Sequence, residues 1–148
     1  MYTNPSPTVD IAIIEDGKVV LVRRGKEPFE GCWVFPGGFV DYGEIIEDAA
    51  VREALEETGL NVEVLAILGV YSSPDRDPRK HTISTVFIAY PTRGKLAGGD
   101  DAAEAKWFEI ESIEAEDLAF DHGRILEDLK RWIKQPDTFW STKDTGKN

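Results

Sequence analysis

The chain has 148 residues, 41% of them hydrophobic, a formal net charge of −11 and a single cysteine, Cys32. This is the size of one ordinary domain with enough apolar side chains for a core. The acidity excludes a general affinity for nucleic-acid backbones, which need a basic surface. One cysteine allows no internal disulfide, no apolar run approaches the roughly 18 residues of a membrane span, and the start MYTNPSPTVD lacks a secretory pattern. The expectation is a cytoplasmic protein with neither nucleic acid nor membrane as partner.

Residues 8–14 (TVDIAII) and 19–22 (VVLV) are β-branched runs around Asp16-Gly17, the pattern of a hairpin. Arg23 and Arg24 close its second strand, and alternation turns only one of them inward. Residues 25–31 read as a polar loop and 32–35 (CWVF) as a short strand ended by Pro36-Gly37-Gly38. Residues 45–58 predict a strong helix, free of Pro and Gly and closed by Gly59 as a C-terminal cap. Strands follow at 61–72 and 82–90, separated by the charged, proline-punctuated loop 73–81 (SPDRDPRKH). After a Gly-rich connection at 91–101 come a short strand at 106–109 (KWFE) and a helical turn at 110–118. Asp121 is placed to cap a last helix over about 122–133, with Ile125, Leu129, Trp132 and Ile133 on one stripe. Residues 135–148 carry no periodicity and read as a tail that frays at its end. The order β-β-β-α-β-β-β-α predicts an α+β fold, a mixed sheet sandwiched by helices.

The helix at 45–58 carries the chemistry. On a wheel of about 100° per residue, Ile46, Ala49 and Ala50 mark the inward face. Glu53 and Glu57 fall at the centre of that face and Glu56 flanks it. Two inward carboxylates about 6 Å apart repel by roughly 3 kcal/mol at an effective dielectric near 20. They need protons, cationic side chains or metal ions. Oxygen-only donors suit Mg²⁺, with Mn²⁺ as a substitute. The plain alternative is a solvated acidic helix laced with Glu–Arg pairs.

The spacing is more specific than the composition. Gly38, Glu44, Arg52-Glu53, Glu56-Glu57 and Gly59-Leu60 stand at intervals whose chance occurrence at a given start is on the order of 10⁻⁸. This stretch, GFVDYGEIIEDAAVREALEETGL, resembles the Nudix box at every fixed position, and the β/α order extends the resemblance over most of the chain. The resemblance implies an α/β/α Nudix fold, with one hydrolase domain over 1–136 and a tail at 137–148. It implies hydrolysis of a nucleoside diphosphate linked to a further group. It implies metal held by Glu53 and Glu57, with Glu56 as a further ligand or a water-orienting group, and with the Gly37 carbonyl as a main-chain ligand. Arg52 would orient a catalytic glutamate, while Gly38, Glu44 and Gly59 would brace the turn and the helix end. Relatives place an acid near Glu104, which makes it a candidate general base beside Glu56; Asp100 and Asp101 compete for that role.

Substrate choice lies outside the box. Residues 71–84 (YSSPDRDPRKHTIS) resemble the corresponding stretch of small microbial ADP-ribose pyrophosphatases, which implies cleavage of ADP-ribose to AMP and ribose 5-phosphate. Arg76, Arg79, Lys80 and His81 make a cationic loop in an acidic protein, and a solvated loop is the plain alternative. Arg23 or Arg24 is a candidate for phosphate, and Trp33, Phe35 and Phe39 are candidates to stack on a base, against an ordinary core role for each. Trp107, Phe108 and Trp132 read as core, and His122 as a structural residue at a helix start. The small-molecule alternatives are an oxidised nucleoside triphosphate such as 8-oxo-dGTP, or a pterin triphosphate. A domain that senses a nucleotide without cleaving it is the alternative of another class. ADP-ribose-cleaving relatives are often homodimers, so a homodimer stays open here.

Overall fold

The computed structural model describes residues 3–98 and 102–140. The hairpin forms as expected from β1 (Ser6–Glu15) and β2 (Lys18–Arg24), in the register Ile14↔Val19 and Glu15↔Lys18. Its two-residue turn needs positive φ at both positions, and Asp16 and Gly17 supply 52° and 76°. Beyond it come β3 (Trp33–Val34), β4 (Gly37–Phe39), α1 (Ile46–Thr58) and β5 (Leu60–Tyr71). Then follow β6 (Thr82–Gly94), β7 (Ala102–Glu109), α2 (His122–Lys134) and β8 (Phe139–Trp140). Two short 3₁₀ turns, Ile110–Ser112 and Ala115–Asp117, stand where a helical turn was expected.

The sheet runs β3-β2-β1-β6-β5-β8, with β4 added to β1 and β7 to β2. β1 lies parallel to β6 over eight residue pairs and is covered on both faces. That is why its sequence is an almost unbroken apolar run rather than an alternating one. Val9, Ile11 and Ile13 pack with Ala49, Ala50 and Ala54 of α1. Ala12, facing the other way, packs with Ile125, Leu126 and Leu129 of α2. The helices therefore cover opposite faces of a mixed sheet, the α+β sandwich expected. α2 is also fastened by a polar tie: the Tyr71 hydroxyl donates to Asp128 at 2.7 Å, and Arg124 and Arg131 flank that fully buried carboxylate at 3.4 and 3.5 Å.

Four strands differ from expectation. Gly37 and Gly38, read with Pro36 as a strand stop, instead form β4 with Phe39 because β1 supplies the partner, with Asp10 opposite Gly37 and Val9 opposite Gly38. β6 extends into the glycine-rich connection, where Gly94 pairs with Leu60, and β7 begins four residues before the expected strand, with Ala102 opposite Arg24. Residues 139–140, read as tail, form β8 beside β5. The bare Cα of Gly69 lets the two chains approach, since a Cβ there would lie 2.3 Å from the Phe139 carbonyl oxygen. Residues 141–148, expected to fray, lie outside the described residues.

Candidate functional site

Gly59 closes α1 at φ 78°, its N–H bonding to the Leu55 carbonyl. At the other end no side chain caps the helix. Glu44 braces the turn instead: it accepts the Asp41 N–H at 2.9 Å and a two-pronged bond from Arg52 Nε and Nη2, at 2.7 and 2.9 Å. These bonds, Arg52's first, hold the Glu44 carboxyl down at about 2. Arg52 also bonds the Phe39 carbonyl at 3.1 Å, and through Nη1 it reaches Glu53 and Glu56, both at 3.1 Å. One guanidinium thus fixes β4, the turn and two glutamates.

The glutamates sort as the wheel predicts. Glu53 is 8% exposed, Glu57 is intermediate, and Glu56 lies outward, 42% exposed at its side chain. Glu53 fills the space over Gly38, where an added Cβ would lie 2.4 Å from its Oε2. Glu57 Oε1 accepts the Gly37 N–H at 3.1 Å. Glu53, Glu57, Gly37 and Gly38 all line a cleft of about 360 Å³, which Arg24, Lys26, Arg76 and Arg79 line as well. This volume suits a small-molecule ligand.

The remaining sequence candidates divide. Arg24 is the inward one of its pair; its Nε donates to the Pro28 carbonyl and its guanidinium lies 5.1 Å from the Phe120 ring centre. Arg23 points to the other face and pairs with Glu104 at 3.2 Å. Glu104, 42% exposed and also near Lys106 at 3.8 Å, is not among the cleft residues, so these ion pairs rather than the cleft occupy the candidate base. Asp100 and Asp101 lie outside the described residues. Trp33 packs edge-on against Phe108 at 4.9 Å and leaves the cleft to Phe39, which is 37% exposed with Lys80 4.9 Å and Arg79 5.7 Å from its ring centre. Phe35 lines the cleft yet is only 1% exposed, a core residue at its floor. His81 bonds the Ser72 carbonyl at 3.0 Å and stays outside the lining.

Arg76 lines the cleft, but its side chain is 5% exposed and spent on Asp121, at 2.7 and 2.8 Å, and on Thr82 at 2.8 Å. It acts as a strut between the 73–81 loop and the start of α2. Asp121 is correspondingly taken from the capping role expected of it and makes no cap bond. Arg79 is the exposed cation of that loop at the cleft, paired with Asp77 at 2.8 Å.

Asp10 escaped the sequence reading, and His122, read there as structural, lines the cleft with it. Asp10 lines the cleft, buried, and accepts the Ser84 hydroxyl at 2.6 Å; burial, opposed by the charge of Arg76, raises its carboxyl to about 7. His122 takes the Phe35 N–H on Nδ1 at 3.0 Å, so Nε2 carries the proton and faces Asp10 Oδ1 at 3.7 Å. Burial lowers His122 to about 4, keeping it neutral. The available signal was an aspartate inside the β-branched run TVDIAII, because a charge on a buried strand needs partners.

Among the described residues no three His, Cys, Asp or Glu side chains already stand as a metal cluster. The donors nevertheless fit a hard divalent cation: they are oxygens only, nearly buried, and of like charge around one short strand.

The family model described as NUDIX domain matches residues 4–129. An ADP-ribose pyrophosphatase of Methanocaldococcus jannaschii is 51% identical over 132 residues, 89% of this chain and 77% of that protein. Among solved structures, a NUDIX hydrolase from Nitrosomonas europaea superposes with TM-score 0.81 at 28% identity, over 95% of this chain and 80% of that one. A bifunctional NMN adenylyltransferase/ADP ribose pyrophosphatase from Francisella tularensis, complexed with AMP and a Mn ion, gives TM-score 0.74 at 26% identity, over 92% and 43%. With the complete motif folded around a cleft and the profile spanning most of its length, the chain belongs to the Nudix hydrolase family.

Proposed function

We propose that this protein hydrolyses ADP-ribose to AMP and ribose 5-phosphate, using Mg²⁺ or, in its place, Mn²⁺. The observation that carries the reading is the meeting of Glu53 and Glu57 at the Gly37–Gly38 strand, in a cleft that Arg24, Lys26, Arg76 and Arg79 also line. The 51% identity to a protein named for this activity supports the substrate. Glu53, Glu57 and the Gly37 carbonyl would hold the cation, with Glu56 beside them through Arg52. When bound, it supplies charge for the phosphoryl oxygens and acidity for the attacking water.

The chain's own residues do the positioning. In the reaction a bond forms between water oxygen and phosphorus, the P–O bond of the anhydride breaks, and the water gives up a proton. Arg52 holds Glu53 and Glu56 in place; Glu56, outside the cleft lining like Glu104, is the one of the two tied to the guanidinium that holds Glu53, and is the group suited to orient the water or accept its proton. Arg24, Lys26 and Arg79 face the diphosphate, offsetting the repulsion of a chain with net charge −11. Phe39, at the rim beneath Lys80, is the surface for the base. The working compartment is the cytoplasm; among the described residues no helix is long and apolar enough to cross a membrane.

A hydrolysis panel of ADP-ribose, NADH, diadenosine polyphosphates and 8-oxo-dGTP tests the substrate. ADP-ribose is expected to give the highest kcat/KM. A wide margin for 8-oxo-dGTP would assign the protein to the nucleotide-sanitising members instead.

A further inference from the structure

We infer that Asp10, which lies outside the 23-residue motif, is a positioning residue of the site: its carboxylate holds the Gly37–Gly38 strand against the glutamates of α1. Asp10 and Gly37 are directly opposed in the β1–β4 register. A Cβ on Gly37 would lie 2.4 Å from Asp10 Oδ1, and a Cβ on Gly38 would lie 2.4 Å from Glu53 Oε2. Successive residues of a strand face opposite ways. The two-glycine strand is therefore clamped between carboxylates, Asp10 on one face and Glu53 on the other. Its glycines are the residues that leave both carboxylates room.

Asp10 is itself fixed from three directions. The Ser84 hydroxyl of β6 donates to Oδ2 at 2.6 Å, Nε2 of His122 faces Oδ1 at 3.7 Å, and Arg76 Nη2 stands 3.9 Å away. The histidine is locked in turn by the Phe35 N–H, two residues before Gly37. β6, α2 and the 73–81 loop thus converge on one buried carboxylate, and that carboxylate bears on β4. What β4 carries is the Gly37 N–H that holds Glu57, together with the neighbouring carbonyl. Displacing Asp10 shifts the main-chain partner of Glu57, and with it the oxygen set offered to a cation. The activity arm of the test rests on the proposed function, while the metal arm does not.

The test compares wild type with Asp10→Asn, which keeps the shape of the side chain. Mn²⁺ affinity is read by electron paramagnetic resonance without substrate, kcat and KM are measured for ADP-ribose, and the thermal melt reports folding. Weakened Mn²⁺ binding, by about tenfold or more, with kcat reduced and KM within a factor of about two, supports the assignment. A lowered Tm with wild-type Mn²⁺ affinity and kcat in the folded protein makes Asp10 a structural tie only and overturns it. If Asp10→Asn does not fold, Ser84→Ala replaces it, freeing Oδ2 while leaving the carboxylate; unchanged Mn²⁺ affinity there overturns the inference equally. Should wild type bind Mn²⁺ yet cleave no ADP-ribose, the proposed substrate fails while the metal arm still decides the role of Asp10.

Discussion

Gly38 shows how one residue type can be required by a neighbour rather than by its own backbone. Its φ lies outside the left-handed region, and the three atoms nearest to where a Cβ would lie all belong to the Glu53 carboxylate, the far end of a flexible chain. Gly38→Ala is therefore expected to keep the fold, to displace Glu53, and to lower kcat by roughly tenfold or more; circular dichroism and steady-state kinetics check both halves. Gly37 is different, because its Cβ would meet the Val9 carbonyl oxygen at 2.2 Å, which cannot move aside. The buried pair beside these glycines gives a pH prediction for the metal-free protein. His122 is lowered to about 4, so between pH 6.5 and 4 the unfolded chain binds the extra proton and stability falls as pH drops. Asp10 is raised to about 7, so between pH 3.8 and 7 the folded chain binds the extra proton and stability falls as pH rises. The two slopes oppose one another. Relative to wild type, His122→Gln should gain stability toward pH 4, by up to about 3 kcal/mol, whereas Asp10→Asn should gain toward pH 7. Urea melts at pH 4.5, 5.5 and 6.5 measure this, and parallel profiles for both variants would refute it.

At the scale of elements, legibility followed length and periodicity. The hairpin and α1 are written in local signals: an Asp-Gly turn between β-branched runs, and a helix with alanines inward and a glycine cap. The wheel even set Glu53 and Glu57 apart from the more exposed Glu56. β4 and β8, three and two residues long, have no period of their own and exist because β1 and β5 offer them partners. The 73–81 loop was legible as cationic but not in its division of labour. Only the fold brings Asp121 to Arg76, making one arginine a buried strut and leaving Arg79 to face the cleft. The tie between β5 and α2 likewise joins residues 57 apart in the chain. Tyr71→Phe leaves Asp128 buried without its hydroxyl donor and should cost about 1–3 kcal/mol while kcat stays near wild type. A denaturant melt with an activity assay tests this, and an equal loss of kcat would extend the site to α2's far side.

At the scale of the whole molecule, a chain with net charge −11 lines one cleft with the carboxylates of α1 and β1 and with four cationic side chains, Arg24, Lys26, Arg76 and Arg79. This arrangement suits a polyanionic substrate held between a bound cation and basic side chains, and it makes the glutamates of α1 the point on which the account turns. The most direct measurement is ³¹P NMR of ADP-ribose incubated with Mg²⁺ and either wild type, Glu53→Gln or Glu57→Gln, each shown folded by its melt. The account predicts AMP and ribose 5-phosphate from wild type and a rate at least about 100-fold lower from each variant. Intact ADP-ribose with wild type, or near-normal cleavage by either variant, would contradict it.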